Sequence, residues 1–370
     1  MLVVDGTSGV TFNDSSLQGA AASPYVLKNR IINGDMRIDQ RNAGASITPT
    51  DGQYTLDRWV AYRTQASKFT VQQNAGSVTP PAGFTNYLGV TSSSSYSVLS
   101  TDVFLVTQVI EGYNVADLAY GTASAKTVTL SFWVRSSLTG TFGGALNNIN
   151  VNKSYTYSYS IPAANTWTYI TVTIPGDTAS ALATTNAGGL TTYFNLGAGS
   201  NWQTTAGTWT AGNYSTPSGT VNVVGTNGAT FYITGVQLEI GTSATPFERR
   251  LYNQELANCQ RYFEKSYNQG TAIGAATSTA QIIMAPIVNY ASNTYTQTIY
   301  YKVAKRTTPT LTPYAYNGTS GQWYTGNIGV NEQLGNATTL NPGEASFALY
   351  IAYTVTPNIA YGHYAASAEL

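Results

Sequence analysis

Alternating hydrophobic and polar positions, punctuated by turn residues, dominate this chain. Between residues 126 and 135, Val128, Leu130, Phe132 and Val134 fall on one side of an extended backbone. Thr127, Thr129, Ser131 and Trp133 fall on the other. That is the pattern of a strand with one face buried. Residues 167–174 repeat it, with Ile170, Val172 and Ile174 on one face, and residues 230–240 predict a third long strand in which Gly235 is a candidate bulge. The strands are separated by Gly-, Asn- and Ser-rich turns, so the fold class is all-β, a sandwich or barrel. The abundance of Thr and Tyr fits, because β-branched and aromatic side chains suit a half-buried pleated surface.

Texture divides the chain into parts. Residues 1–28 are small, turn-rich and too few for a core of their own. Residues 29–250 form the main β domain, and residues 266–370 a smaller C-terminal β domain rich in tyrosine. Between them, residues 251–265 predict a short linking helix. Tyr252, Leu256, Cys259 and Phe263 make one helical stripe, and Asn253 is its expected cap.

Composition narrows the function. The chain has 370 residues and is 42% hydrophobic, enough to bury a sizeable core. Only 9% is charged, against roughly 25% in ordinary soluble domains. Net charge is zero, so no long-range field draws in nucleic acid or an anionic membrane. Ser, Thr, Asn, Gln, Gly and Tyr must supply the polar surface, and they suit neutral hydrogen-bonding partners such as sugars. One cysteine, Cys259, excludes a disulfide within the chain. One histidine, His363, excludes a multi-histidine zinc site. No signal peptide opens the sequence and no run is long enough to cross a bilayer as a helix, so the protein is expected to be made in a cytoplasm without an export address.

Two stretches carry a resemblance. Asn29-Arg30-Ile31-Ile32-Asn33-Gly34-Asp35-Met36-Arg37-Ile38-Asp39-Gln40-Arg41-Asn42 is followed by Tyr54-Thr55-Leu56-Asp57-Arg58-Trp59. Farther on, Tyr232-Ile233-Thr234-Gly235-Val236-Gln237-Leu238-Glu239-Ile240-Gly241 leads through Ala244-Thr245-Pro246-Phe247-Glu248-Arg249-Arg250 to the 255–263 segment. These resemble the two ends of a domain common in bacteriophage tail fibre proteins, a jelly roll similar to carbohydrate-binding modules. The opening residues 4–16 also resemble fibre N-termini. One departure is Leu251, where the resemblance leads to an expectation of proline.

The resemblance implies a virion part, a homotrimer in the phage tail. Residues 1–28 would attach it to other tail or virion proteins. The jelly roll would form a shaft or collar, and residues 266–370 a tip that binds bacterial surface polysaccharide without catalysis. Two alternatives stay open: a structural or capsid-decorating fibre or adaptor without receptor contact, and a glycan-degrading tailspike.

Candidate chemistry follows from residue type. Tyr290, Tyr295, Tyr300, Tyr301, Tyr314, Tyr316, Trp323, Tyr324, Tyr350, Tyr353, Tyr361 and Tyr364 crowd the C-terminal region. Tyrosine offers a rigid ring and a polar tip at low entropic cost. Tyr314, Tyr316, Trp323 and Tyr324 flank an Asn317-Gly318 turn, which makes these residues and Asn317 the leading receptor-contact candidates. Tyr361 and His363 form a second candidate, and Trp202 and Trp209 a secondary glycan site in the main domain. Asp57-Arg58-Trp59 reads as a buried Asp–Arg pair beside a core tryptophan. A glycosidase would need two suitably spaced carboxylates from among Asp35, Asp39, Asp57, Glu111, Asp117 and Glu239. No cofactor is expected; a structural calcium on Asp102, Asp117 or Asp177 is the single metal possibility considered.

Overall fold

The computed structural model describes residues 28–284, 294–327, 330–352 and 359–370, together with short strands at Val3–Asp5, Gly9–Thr11 and Leu17–Gln18. Those three strands pair antiparallel in sequence order. The remainder of the 4–16 motif, with Tyr290 and Tyr353, lies outside the described residues.

The main domain is a sandwich of two antiparallel sheets. One has seven strands in the order Trp209–Ala211, Lys153–Ile161, Gly140–Asn148, Gly188–Ala198, Val103–Glu111, Val60–Arg63 and Gln53–Tyr54. The other has five, in the order Thr168–Ile174, Val128–Ser136, Thr230–Ile240, Leu88–Ser92 and Phe69–Gln73. Their facing sides build one core. Val128, Leu130, Phe132 and Val134 are all fully buried in it, as their alternation requires. Phe132 meets Phe194 of the other sheet edge-on at 5.0 Å, a favoured aromatic arrangement.

Gly235 is the predicted bulge. Register against Val128–Ser136 shifts between Thr234 and Gln237, and Gly235 has φ of +63°. Such a backbone disfavours any side chain with a Cβ.

Trp59 is buried, and its indole nitrogen donates to the Asn33 carbonyl at 3.0 Å. The expected Asp57–Arg58 pair is not made. Asp57 accepts both the backbone and the side-chain N–H of Gln40, each at 2.6 Å. Arg58 turns the other way and pairs with Glu369. Adjacent residues diverge here because Arg58 adopts a left-handed backbone, φ +70°.

The helix runs Tyr252–Gln260, shorter than expected, and Asn253 lies inside it rather than capping it. Its buried residues are Glu255, Cys259 and Gln260, whereas Tyr252 is exposed. Glu255 accepts Asn33 N–H and pairs with Arg250 at 3.0 Å, so a carboxylate sits on the face that the apolar stripe was expected to fill. Phe263 belongs to the next strand, Phe263–Lys265, which opens the C-terminal sheet by pairing with Ile359–Ser367.

That sheet continues through Gln322–Asn327, Val330–Leu340 and Ser346–Ala352 to Thr294–Tyr300. Ile282–Met284 and Thr310–Tyr314 also pair with Ile359–Ser367. The second core comprises Met284, Ile299, Trp323, Phe347, Leu349, Ile351 and Tyr364, among others. Among the described residues, no helix is long and apolar enough to cross a membrane.

Candidate functional site

The C-terminal candidates separate into two groups. Trp323 is fully buried in the second core, its indole N–H donating to the His363 carbonyl at 2.8 Å. His363 is fully buried too, stacked on Tyr267 with ring centroids 3.8 Å apart. Its Nε2 lies 3.0 Å from the Thr277 carbonyl and its Nδ1 3.1 Å from Ser266 Oγ. A carbonyl can only accept, so the proton is on Nε2 and Nδ1 accepts from the serine. Burial lowers the His363 pKa and keeps this neutral form. Tyr361 is also fully buried, donating to Glu332. These three residues present no surface to a receptor, a correction to the sequence reading. Strand alternation accounts for Trp323, whose neighbour Tyr324 faces the other way. Tyr361 and His363 lie on the side of their strand opposite the core residues Ala360 and Tyr364 and are covered by Tyr316, Tyr324 and Tyr267.

The second group stays at the surface. Tyr324 is the register partner of Tyr361, and Tyr316 packs over both, with centroids 4.5 Å from Tyr324 and 5.9 Å from Tyr361. Tyr316 donates to Glu332 at 2.8 Å, and Asn317 donates to the Tyr324 hydroxyl at 3.1 Å. Asn317 is exposed and Tyr314, Tyr316 and Tyr324 are half-buried. The structure therefore packs the rings of Tyr316, Tyr324 and Tyr361 on each other, with Tyr316 and Tyr361 sharing the Glu332 carboxylate and Asn317 bonded to the Tyr324 hydroxyl. Tyr314 instead meets Tyr267 edge-on at 6.3 Å.

Trp202 and Trp209 also part company. Trp209 is wedged between Tyr120 and Tyr155 at the edge of the main core, its N–H donating to the Pro175 carbonyl at 2.7 Å. Trp202 belongs to a groove on the outer face of the seven-stranded sheet.

This groove has a volume of about 480 Å³ and is lined by Tyr62, Leu105, Tyr193, Trp202 and Asn213, with Asp51 also contributing. Sheet register builds it. Leu105 pairs with Tyr62 on one side and Asn195 on the other, while Thr107 pairs with Val60 and Tyr193. Tyr193 in turn pairs with Ala145, and Thr191 with Asn147. These residues alternate with Phe104, Val106 and Phe194, which enter the core. Val103, Leu105, Ala145, Tyr193 and Ala198 make an apolar floor against which Tyr62 and Trp202 pack. Two hydrogen bonds orient the aromatics: Trp202 Nε1 to the Thr101 carbonyl at 3.0 Å, and Tyr193 hydroxyl to Asn213 Oδ1 at 3.0 Å. Burial pushes the Tyr193 phenol well above its ordinary pKa, so it remains a neutral donor.

The same face carries polar atoms that no protein group satisfies: Thr107 Oγ1, Thr191 Oγ1, Asn147 Oδ1 and both polar atoms of the Asn195 amide. Buried polar atoms are normally paired. Of these, Thr191 lines the groove beside Tyr193, Trp202 and Asn213, and its unpaired hydroxyl suits a hydroxyl-bearing ligand; the others are enclosed within the face. Sequence reasoning found Trp202 but missed Tyr62 and Tyr193. Residues 191–196 run Thr-Thr-Tyr-Phe-Asn-Leu, and with both faces of that strand covered no simple alternation marks which ring faces out.

The six carboxylates considered for catalysis serve as ties. Asp35 pairs with Arg37, Asp117 with Arg30 and Glu111 with Arg261. Asp39 accepts backbone N–H groups from Arg41, Asn42 and Gly44. Glu239 accepts from Thr245 and Gln237, and Asp57 from Gln40. None of them lines the groove. Asp102 receives Thr64, Gln65, Tyr96 and the Leu99 N–H, and these bonds lower its pKa. Asp177 is held by Lys153 at 2.8 Å. Among the described residues, no group of three or more His, Cys, Asp or Glu gathers as a metal site would need.

No protein-family model matches this chain, and no curated protein matches it. Among solved structures it overlaps a candidate sugar-binding protein from Bacteroides thetaiotaomicron at 12% identity and a TM-score of 0.34, covering 58% of this chain and 100% of that one. It overlaps the family 11 carbohydrate-binding module of the Clostridium thermocellum cellulase Lic26A-Cel5E at 15% identity and 0.26, covering 54% and 98%. The N-terminal cellulose-binding domain of Cellulomonas fimi β-1,4-glucanase C overlaps at 17% identity and 0.26, covering 50% and 90%. The sandwich is defined by its own strand pairing.

Proposed function

We propose that the protein is a non-catalytic, glycan-binding adhesin of a bacteriophage tail fibre, and that the groove on the seven-stranded sheet holds the sugar. One observation carries the glycan reading. Tyr62, Tyr193 and Trp202 line a groove together with the polar side chains of Asp51, Arg63, Asn213 and Thr191, whose hydroxyl has no protein partner. A pyranose has an apolar face for the aromatic rings and hydroxyls for the polar atoms. A mostly apolar pocket with a few placed polar groups is the usual form of a small-ligand site.

The phage part rests on the sequence motifs at 29–59 and 232–263. On that reading the protein is a homotrimer in the virion, and its partners are tail proteins and bacterial surface polysaccharide. Three weak sites on one fibre gain avidity through effective concentration.

The test is capture of the purified, labelled protein on immobilised bacterial surface polysaccharides and on whole cells. Saturable binding that weakens on Trp202→Ala and Tyr62→Ala, with folding intact, supports the groove. Binding to cells that survives both changes moves the receptor contact to the Tyr316–Asn317–Tyr324 surface. A protein that adsorbs to no glycan and no cell, yet assembles into virions, is a structural fibre.

A further inference from the structure

The outer face of the five-stranded sheet carries a second cavity, of about 490 Å³, which shares no residue with the groove. It is lined by Phe84, Trp133, Tyr169, Gly235, Phe247 and Arg249, with Ser131 and Thr245 adding small polar groups. Trp133 alternates with Phe132 and Val134 of the core, so its ring stands on the far side of the sandwich from the groove.

Two aromatic pairs form the walls. Trp133 and Tyr169 are cross-strand partners with centroids 5.2 Å apart and planes tilted by 46°. Phe84 and Phe247 meet edge-on, also at 5.2 Å. Tyr169 is 43% exposed, so part of its ring is open to a ligand. Gly235 contributes to the lining, and a Cβ there would stand 2.6 Å from the Phe84 ring and 3.3 Å from Trp133.

Arg249 is the charged group of this cavity, and it is distinctive. Its guanidinium carbon lies 4.7 Å from the Phe84 ring centroid and 5.8 Å from that of Phe247. Gly83 makes room for it, since a Cβ at that position would be 2.8 Å from Nη2. Arg30, Arg37, Arg41, Arg58 and Arg63 each donate a hydrogen bond to a protein acceptor. So do Arg135, Arg250, Arg261 and Arg306. Among the described residues, Arg249 alone of the arginines makes neither a hydrogen bond nor an ion pair. Stacking on aromatic rings uses the flat face of a guanidinium and leaves its N–H edge available for a carboxylate. The acids nearby are already engaged: Asp35 by Arg37, and Glu239 by Thr245 and Gln237.

We propose that this cavity binds an acidic saccharide, its pyranose ring against Trp133 and Tyr169 and its carboxylate on the N–H edge of Arg249. A neutral sugar would leave the cation unused, and a free inorganic anion would leave the rings unused. A uronate engages both. This site is independent of the groove and stands or falls separately from it.

The test is calorimetric titration of the full chain with the trisaccharide of galacturonate and with its uncharged methyl ester, at low and high salt. The acid is expected to bind more tightly than the ester and to weaken as salt rises. Arg249→Gln and Tyr169→Ala, both at exposed positions, are each expected to cut the affinity by about tenfold or more, the scale of one charge-assisted contact. Trp202→Ala in the groove is expected to leave it unchanged. Three outcomes overturn the proposal: no binding of the acid, equal affinity for acid and ester, or loss on Trp202→Ala with Arg249→Gln unaffected.

Discussion

Arg58 and Glu369, 311 positions apart in the chain, form a buried ion pair between the sandwich and the segment just after the last strand, Ile359–Ser367. The same carboxylate takes Arg41 at 2.6 Å, and the Arg58 guanidinium lies 3.6 Å from the centroid of the Tyr262 ring. Arg306 adds bonds to the carbonyls of Ala368, Glu369 and Asn186. The two β domains are therefore latched rather than loosely linked.

Removing one member of a buried pair strands the other charge, at a cost of about 3–5 kcal/mol. Glu369→Gln is expected to destabilise the chain on that scale, with Arg41 and Arg58 both left without their counter-ion. Urea unfolding followed by tryptophan fluorescence measures it. A midpoint equal to that of the parent would show that the latch contributes nothing.

Trp323 and Tyr324 are expected to behave oppositely although they are neighbours. Trp323→Ala empties a fully buried site and should cost about 3–5 kcal/mol. Tyr324→Ala, half-buried, should cost clearly less. Thermal unfolding of the two variants side by side decides the matter. Similar small losses for both would contradict the placement of the indole in the core.

Asp57 gives a pH dependence with a defined sign. Burial pushes its pKa up from 3.8 to about 6, against the lowering influence of Arg41 and the Gln40 hydrogen bonds. The folded state thus holds this proton more tightly than the unfolded state does. Its contribution to stability is complete below the unfolded value and is lost as pH rises through about 6. Lowered groups act the other way: Asp102 and Asp177 lose their contribution at acid pH, and neutral His363 loses its own as pH falls. The comparison must therefore be made against Asp57→Asn. Between pH 5 and pH 7, bounds chosen to bracket roughly one unit on each side of this pKa, the parent is expected to lose stability relative to that variant. A constant difference across the range would mean that Asp57 does not titrate there.

Leu251 stands where proline was expected, and its geometry would accept one. It precedes the helix with φ of −60° and ψ of 148°, and its side chain is 79% exposed. Proline fixes φ near this value and lowers the entropy of the unfolded chain. Leu251→Pro is expected to stabilise by about 0.4–1 kcal/mol, seen as a higher melting temperature. A lower one would reveal a use for the Leu251 N–H.

The sandwich was legible where residue types alternate along a strand, as from Val128 to Val134, and where Gly235 marked its bulge by being the residue without a Cβ. Strands buried on both faces, such as Val103–Glu111 and Gly188–Ala198, carry no such alternation. The helix falls inside the expected segment but stops at Gln260, and its packing was misjudged, because Glu255 serves Asn33 and Arg250 and so occupies the buried face that an apolar stripe would predict. The C-terminal candidates misled for a related reason. Tyrosine and tryptophan suit binding surfaces and cores equally, and only the folded chain shows that Trp323 enters the core while Tyr361, on the opposite face, is covered by Tyr316 and Tyr324. The groove was least legible, since Tyr62, Tyr193 and Trp202 are brought together by pairings across three distant stretches of chain.

Phe263 and Ser367 are register partners, so the C-terminal domain begins and finishes side by side against the sandwich. A module whose two ends already meet is a cassette. Exchange of everything between those points by recombination replaces one β sheet and leaves the supporting sandwich intact, provided Glu369, just past the joint, is kept for Arg41 and Arg58.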